Sequence, residues 1–119
     1  MATYTFRKEI EIGARTNSAE IDPDLLGEAI EKAEEHAYRK LYDEVSRHFI
    51  DFSLSADIKL IQKDNKAVLN MTLTIGLEIS PLTSKITEQN RIAKEIADAF
   101  FETIKQYLLR VLEKTNRSA

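Results

Sequence analysis

A chain of 119 residues that is 43% hydrophobic and 31% charged suits one domain with its own core, and is too apolar for a disordered segment. It holds no cysteine, which excludes disulfides, thiolate nucleophiles and cysteine-ligated zinc or iron–sulfur centres. A net charge of −3 gives no overall attraction to a phosphate backbone, so direct nucleic-acid binding would need a local basic patch.

Residues 3–12, T-Y-T-F-R-K-E-I-E-I, place Tyr4, Phe6, Ile10 and Ile12 on one face and Thr3, Thr5, Arg7, Glu9 and Glu11 on the other, the period-two signature of a half-buried strand. Lys8 interrupts the inward series, as an inward charge does on an edge strand protected from wrong pairing. Polar residues 13–20 then read as a loop.

Asp22-Pro23-Asp24 announces a helix, with Asp22 as cap, Pro23 at the first helical position and Asp24 complementing the dipole. Leu26, Ile30, Ala33, Ala37, Leu41 and Val45 form its apolar stripe, Tyr38 and Tyr42 flank it, and the helix is expected to end near His48.

Residues 50–60 alternate without a fault, Ile50, Phe52, Leu54, Ala56, Ile58 and Leu60 against Asp51, Ser53, Ser55, Asp57 and Lys59. Residues 67–79 repeat the device with Ala67, Leu69, Met71, Leu73, Ile75, Leu77 and Ile79 inward. The polar stretch Q-K-D-N-K between them predicts an antiparallel hairpin with a five-residue turn.

Gly76 to Lys85, G-L-E-I-S-P-L-T-S-K, has too few glycines for a phosphate cradle, and Ser80 lacks the flanking glycines of a nucleophile elbow. Ser80, Thr83, Ser84 and Thr87 read as turn and capping residues, with Pro81 ending the ladder. A last helix is expected from about Thr87 to Glu113. Its apolar face starts as a stripe and broadens through Phe101, Ile104, Leu108, Leu109, Val111 and Leu112. Such a face implies two neighbours, one the sheet and the other either the first helix or a second copy of the chain.

The order β-α-β-β-α predicts an α+β fold, a single domain over residues 1–119 built as a two-layer sandwich: an antiparallel sheet with two helices on one face. The outward face of the sheet, Asp51, Ser53, Ser55, Asp57, Lys59, Asn70, Thr72, Thr74 and Glu78, is left uncovered. It lacks the aromatics of an RNA-stacking platform.

The candidates for chemistry are few. His36 and His48 are the only histidines, and twelve residues of helix separate them by roughly 120° and about 18 Å, too far to share a site. Glu31 and Glu35 lie on the charged side of an amphipathic helix, where no cleft is implied. The one short positive excess, Arg110, Lys114 and Arg117, complements a helix C-terminus. No run approaches the roughly 18 apolar residues of a membrane span, and M-A-T-Y-T-F-R-K lacks the order of a secretory signal, so a cytoplasmic protein without membrane association is expected.

The acidic helix E-A-I-E-K-A-E-E-H-A-Y-R-K-L, the two alternating strands, L-E-I-S-P-L-T-S-K and the helix A-K-E-I-A-D-A-F-F-E-T-I-K-Q-Y-L resemble a family of short archaeal proteins known as a domain of unknown function, over about residues 25–109. The resemblance implies an archaeal source and the α+β fold, with no reaction and no catalytic residues. At the level of fold the chain is also similar to the small dimerising subunit of the KEOPS tRNA-modification complex, whose strand enters its last helix through a Ser-x-Leu turn, here Ser80-Pro81-Leu82. Thr83 stands where that subunit commonly has arginine.

These readings converge on a non-catalytic interaction protein with no cofactor and no metal, a homodimer or a binder of another protein. Its expected interface is the last helix, at Phe101, Ile104, Leu108, Leu109, Val111 and Leu112, or a sheet edge. The alternative is an accessory subunit of an RNA-modifying or ribonucleoprotein complex that does not touch nucleic acid directly.

Overall fold

The structure, a computed structural model, describes residues 2–13, 23–45, 49–64, 66–79 and 86–118. In chain order these form β1 (Ala2–Gly13), α1 (Pro23–Val45), β2 (Phe49–Lys63), β3 (Lys66–Ile79) and α2 (Ile86–Ser118). The expected caps Asp22, Ser80, Thr83 and Ser84, the terminator Pro81 and the second histidine, His48, lie outside the described residues.

The three strands make one antiparallel sheet in the order β1-β3-β2, so β3 is central and the N-terminal strand joins the hairpin across β3. Rows run straight across the sheet: Tyr4 opposite Ile75 and Leu54, Phe6 opposite Leu73 and Ala56, Lys8 opposite Met71 and Ile58. Even-numbered β1 and β2 residues and odd-numbered β3 residues thus share one face, and that face meets the helices.

The hairpin turn is shorter than the five residues expected. Lys63 already pairs with Lys66, and Asp64 between them adopts a φ of 51°, a left-handed conformation that aspartate tolerates. The strand continues past residue 60 although its alternation fails there. Ile61 points to the polar face opposite Val68, and the two form an isolated apolar spot.

The helices do not share the sheet equally. α2 lies over β1 and β3, while α1 packs chiefly against α2. Ala29, Ala33 and Ala37, all fully buried, let the two helices approach closely, and Leu41 completes the seam. Gln89 ties the start of α2 to the sheet, its amide donating to Tyr4 Oη at 3.0 Å and to the Leu77 carbonyl at 2.9 Å.

The core is the inner face of β3, Ala67 to Leu77, closed by Ile92, Ala93, Ile96, Ala97, Phe100, Phe101, Ile104 and Leu108 of α2. β2 is less well covered, and Phe52, Leu54, Ala56, Ile58 and Leu60 are all only half-buried. The overall dimensions, 55 × 25 × 18 Å, follow from long elements laid side by side in two layers. The radius of gyration of 16.1 Å exceeds the roughly 13.5 Å of a compact domain of this length. That excess is surface which a rounder fold would bury.

Gly27 sits on the exposed side of α1, where an added Cβ would meet nothing within 4 Å. Gly27→Ala is expected to stabilise the protein by about 0.5–1 kcal/mol, because glycine loses more backbone freedom in a helix interior than alanine does. A rise in melting temperature is the readout.

Candidate interaction surface

Three surfaces merit weighing: the groove outside the two helices, the charged cluster where they meet, and the sheet with its edges. The groove is an open depression of about 940 Å³ whose lining includes Lys32, Glu35, His36, Arg39, Thr103 and Tyr107. Its polar groups are engaged with one another. Arg39 pairs with Glu35 at 3.0 Å, and Tyr107 Oη donates to Glu28 Oε2 at 2.6 Å, which pushes the phenol above its ordinary pKa. Thr103 Oγ1 gives its proton to the Ala99 carbonyl at 2.7 Å, so His36 Nδ1, 3.1 Å away, must be the donor in their contact. His36 is exposed, and Glu31 and Glu35 face solvent as the sequence predicts.

The cluster joins the helices through Lys40, Glu44, Arg91 and Glu95. Arg91 Nη1 reaches Glu95 at 3.0 Å and Glu44 at 3.5 Å, and Lys40 Nζ stands 3.5 Å from Glu44 and 4.0 Å from Glu95 Oε2, an oxygen buried without a hydrogen-bond partner. The Glu44 carboxyl is held below the usual carboxylate range, first by its interaction with the Glu95 side chain, then by Lys40 and Arg91, against the opposing effect of desolvation. Two acids and two bases balance, which suits a tie between helices.

A depressed folded pKa adds stability above the unfolded value and loses it as pH falls through the folded one. Glu44→Gln is therefore expected to cost up to about 1 kcal/mol at neutral pH. The difference should shrink as pH drops below the ordinary value of 4.5. Thermal melts of both proteins at about pH 7 and about pH 3 check this.

The polar face of the sheet is open, as expected. Glu9, Glu11, Asp51, Asp57 and Glu78 stand on it among Arg7, Lys59 and Lys63, so it lacks the run of cations a phosphate backbone needs. Tyr4, Phe6 and Phe52 turn to the helix side, leaving no described aromatic for base stacking.

The expected interface on α2 divides. Phe101, Ile104 and Leu108 are 3%, 0% and 1% exposed, spent in the chain's own core and without surface to offer a partner. Leu109 is exposed, Val111 is half-buried, and the side chain of Leu112 lies outside the described residues. The second neighbour that the broad face of α2 calls for is α1, so the width of that face does not require another molecule.

What stays open is the other side of the molecule. β2 is an edge strand with β3 on one side and, among the described residues, nothing on the other. Its inner row is half-buried, and Tyr38 and Tyr42 of α1, 43% and 52% exposed, lie on that flank, with the Tyr38 ring edge-on to Phe52 at 5.0 Å. The opposite edge is protected, because Lys8 puts a charge into the inner row of β1, directly across Met71 from Ile58. β2 has no such charge from Phe52 to Leu60 and no proline, glycine or bulge after residue 51. From the sequence a sheet edge is an expected interface beside the last helix, but not which edge; the signal that selects β2 is the contrast between the interrupted inner row of β1 and the uninterrupted one of β2.

Fold and surface together define the class: an α+β protein in β-α-β-β-α order, a three-stranded antiparallel sheet backed by two helices, with one edge protected by Lys8 and one that no described residue covers. Among the described residues there is no metal-binding cluster, and no helix is long and apolar enough to cross a membrane.

The chain is similar to a protein of Thermococcus onnurineus NA1 known from its crystal structure, with a TM-score of 0.62 and 16% identity over 96% of this chain and 99% of that one. At that identity the likeness concerns the fold alone. The chain matches no protein-family model and no curated protein.

Proposed function

We propose that this chain is a non-catalytic protein-interaction module that self-associates, using the β2 edge and the adjoining face of α1. The carrying observation is the half-buried row Phe52, Leu54, Ala56, Ile58 and Leu60 along an edge without protection, beside the exposed rings of Tyr38 and Tyr42. A long edge strand with an uninterrupted apolar row is prone to aggregation in a monomer, and natural edges of this kind are either blunted or covered. Apart from Glu95 Oε2, the polar groups named in the groove and in the helix-joining cluster have partners in one another, which supports a structural use for them. Light scattering at high micromolar concentration tests the reading: a dimer supports it, and a clean monomer removes self-association.

The resemblance to short archaeal proteins supplies an archaeal setting, and a cysteine-free chain suits a cytoplasmic one. The likeness to the small KEOPS subunit supplies a second reading, an accessory subunit of an RNA-modifying or ribonucleoprotein assembly, favoured by the β-α-β-β-α order. The acids on the open sheet face would leave RNA contact to other subunits. Pull-down from native extract separates the readings, since recovery of RNA-processing proteins would favour the second and their absence would count against it.

A further inference from the structure

We infer that the open β2 edge is covered by the β2 strand of a second copy, antiparallel about a twofold axis through Ser55, so that two chains share one six-stranded sheet with all four helices on one face. The inference rests on the self-association reading and adds partner, orientation and register.

A twofold axis perpendicular to the sheet keeps the inner face of one copy continuous with the inner face of the other. Residues that oppose each other across the axis must then have the same parity, which reduces the question to which β2 residue lies on the axis. Placing Ser55 there sets Asp51 against Lys59 of the second copy, Ser53 against Asp57, Phe52 against Ile58 and Leu54 against Ala56. Both Asp–Lys pairs form, by symmetry, and the half-buried Phe52, Leu54, Ala56 and Ile58 pair among themselves.

Sliding one residue toward the strand start, onto Leu54, sets Asp51 against Asp57 twice. Moving two residues the other way, onto Asp57, sets that carboxylate against itself. Like charges directly opposite are destabilising. An axis on Ala56 gives no direct Asp–Lys pair, and one on Ile58 sets Asp57 against Lys59 but leaves Phe52 facing Asp64 beyond the strand.

A second observation within the single chain selects the same register. Asp51 lies directly opposite Glu78 on β3, a like-charged pair, and neither carboxylate is in an ion pair among the described residues. With the axis at Ser55, Lys59 of the second copy enters that row and sits beside Asp51. The four opposed pairs from Asp51 to Lys59 all fall within the stretch between the bulge at Ile50 and the outward Ile61. Tyr38, above Phe52, extends the buried patch onto α1.

Single cysteines placed in turn at 54, 55, 56, 57 and 58 test this cleanly, since the native chain has none. Opposed Cβ atoms lie about 4.5–5.5 Å apart in an antiparallel pair, close to disulfide reach, so each variant is oxidised and, in parallel, treated with a short dithiol-bridging linker. The expected result is a reducible or bridged dimer strongest for Ser55→Cys. Asp51→Lys should loosen the native dimer about tenfold or more, and adding Lys59→Asp should restore it. A dimer that crosslinks best at another position, or nowhere on β2, overturns the inference while self-association stands. A monomer by light scattering overturns both.

Discussion

Leu108→Ala is expected to cost about 2–5 kcal/mol of stability, while Leu109→Ala, one residue further on, should change it by less than about 0.5 kcal/mol. Successive helical residues point about 100° apart, and on α2 that rotation carries the side chain from the core to the surface. Leu108 is 1% exposed and sits in the core with Ile104 and Phe101; Leu109 is 39% exposed. Removing Leu108 withdraws apolar area from a packed site and leaves a cavity lined by side chains that cannot fully collapse into it. Urea unfolding of the two variants checks the difference, and equal midpoints would show that α2 is rotated from the position described. The same experiment bears on the interface expected from sequence: if Leu108 served a partner, its truncation would weaken association and leave the unfolding of the single chain nearly untouched.

The strands were legible because one buried face imposes a period of two, and the inner residues of β1, β2 and β3 obey it wherever they meet the helices. Legibility ended where two demands competed. Ile61 is apolar on the polar face, so alternation stops at Leu60 although backbone pairing runs on to Lys63, and the turn came out too long. The broad apolar face of α2 was equally visible, but one chain cannot say whether α1 or a second molecule lies against it. The small residues Ala29, Ala33 and Ala37 were the sign of a close helix pair, and they spend the excess within the chain. The polar turn signalled the β2–β3 pairing, but nothing local placed β1 beside β3, a pairing that spans a long distance in sequence. Which sheet edge is the candidate surface was hidden for the same reason. Phe52 to Leu60 look like ordinary core residues until β2 proves to be an edge with thin helical cover.

Ile58→Lys is expected to abolish self-association, weakening it by about a hundredfold or more, while leaving the single chain folded. Lys8, Met71 and Ile58 share one row of the sheet, so the substitution gives the β2 edge the device that β1 already carries. A lysine there would bring a second lysine into the paired sheet by symmetry, each facing Phe52 of the other copy and neither with a counter-ion in reach. In the single chain the same lysine has an escape, because Ile58 is only half-buried and a long side chain can lay its methylenes along the sheet while its ammonium reaches water. The loss of monomer stability should therefore stay near about 1–2 kcal/mol, visible as a lower melting temperature with unchanged circular dichroism. The converse change, Lys8→Ile, removes the charge from the other edge. A chain with two unprotected edges can add copies at both, so its light scattering should rise with concentration past the dimer toward open-ended assemblies. A folded Ile58→Lys variant that remains a dimer, or a Lys8→Ile variant no larger than the native protein, would remove the sheet edges from the mechanism of association and return attention to the exposed remainder of α2.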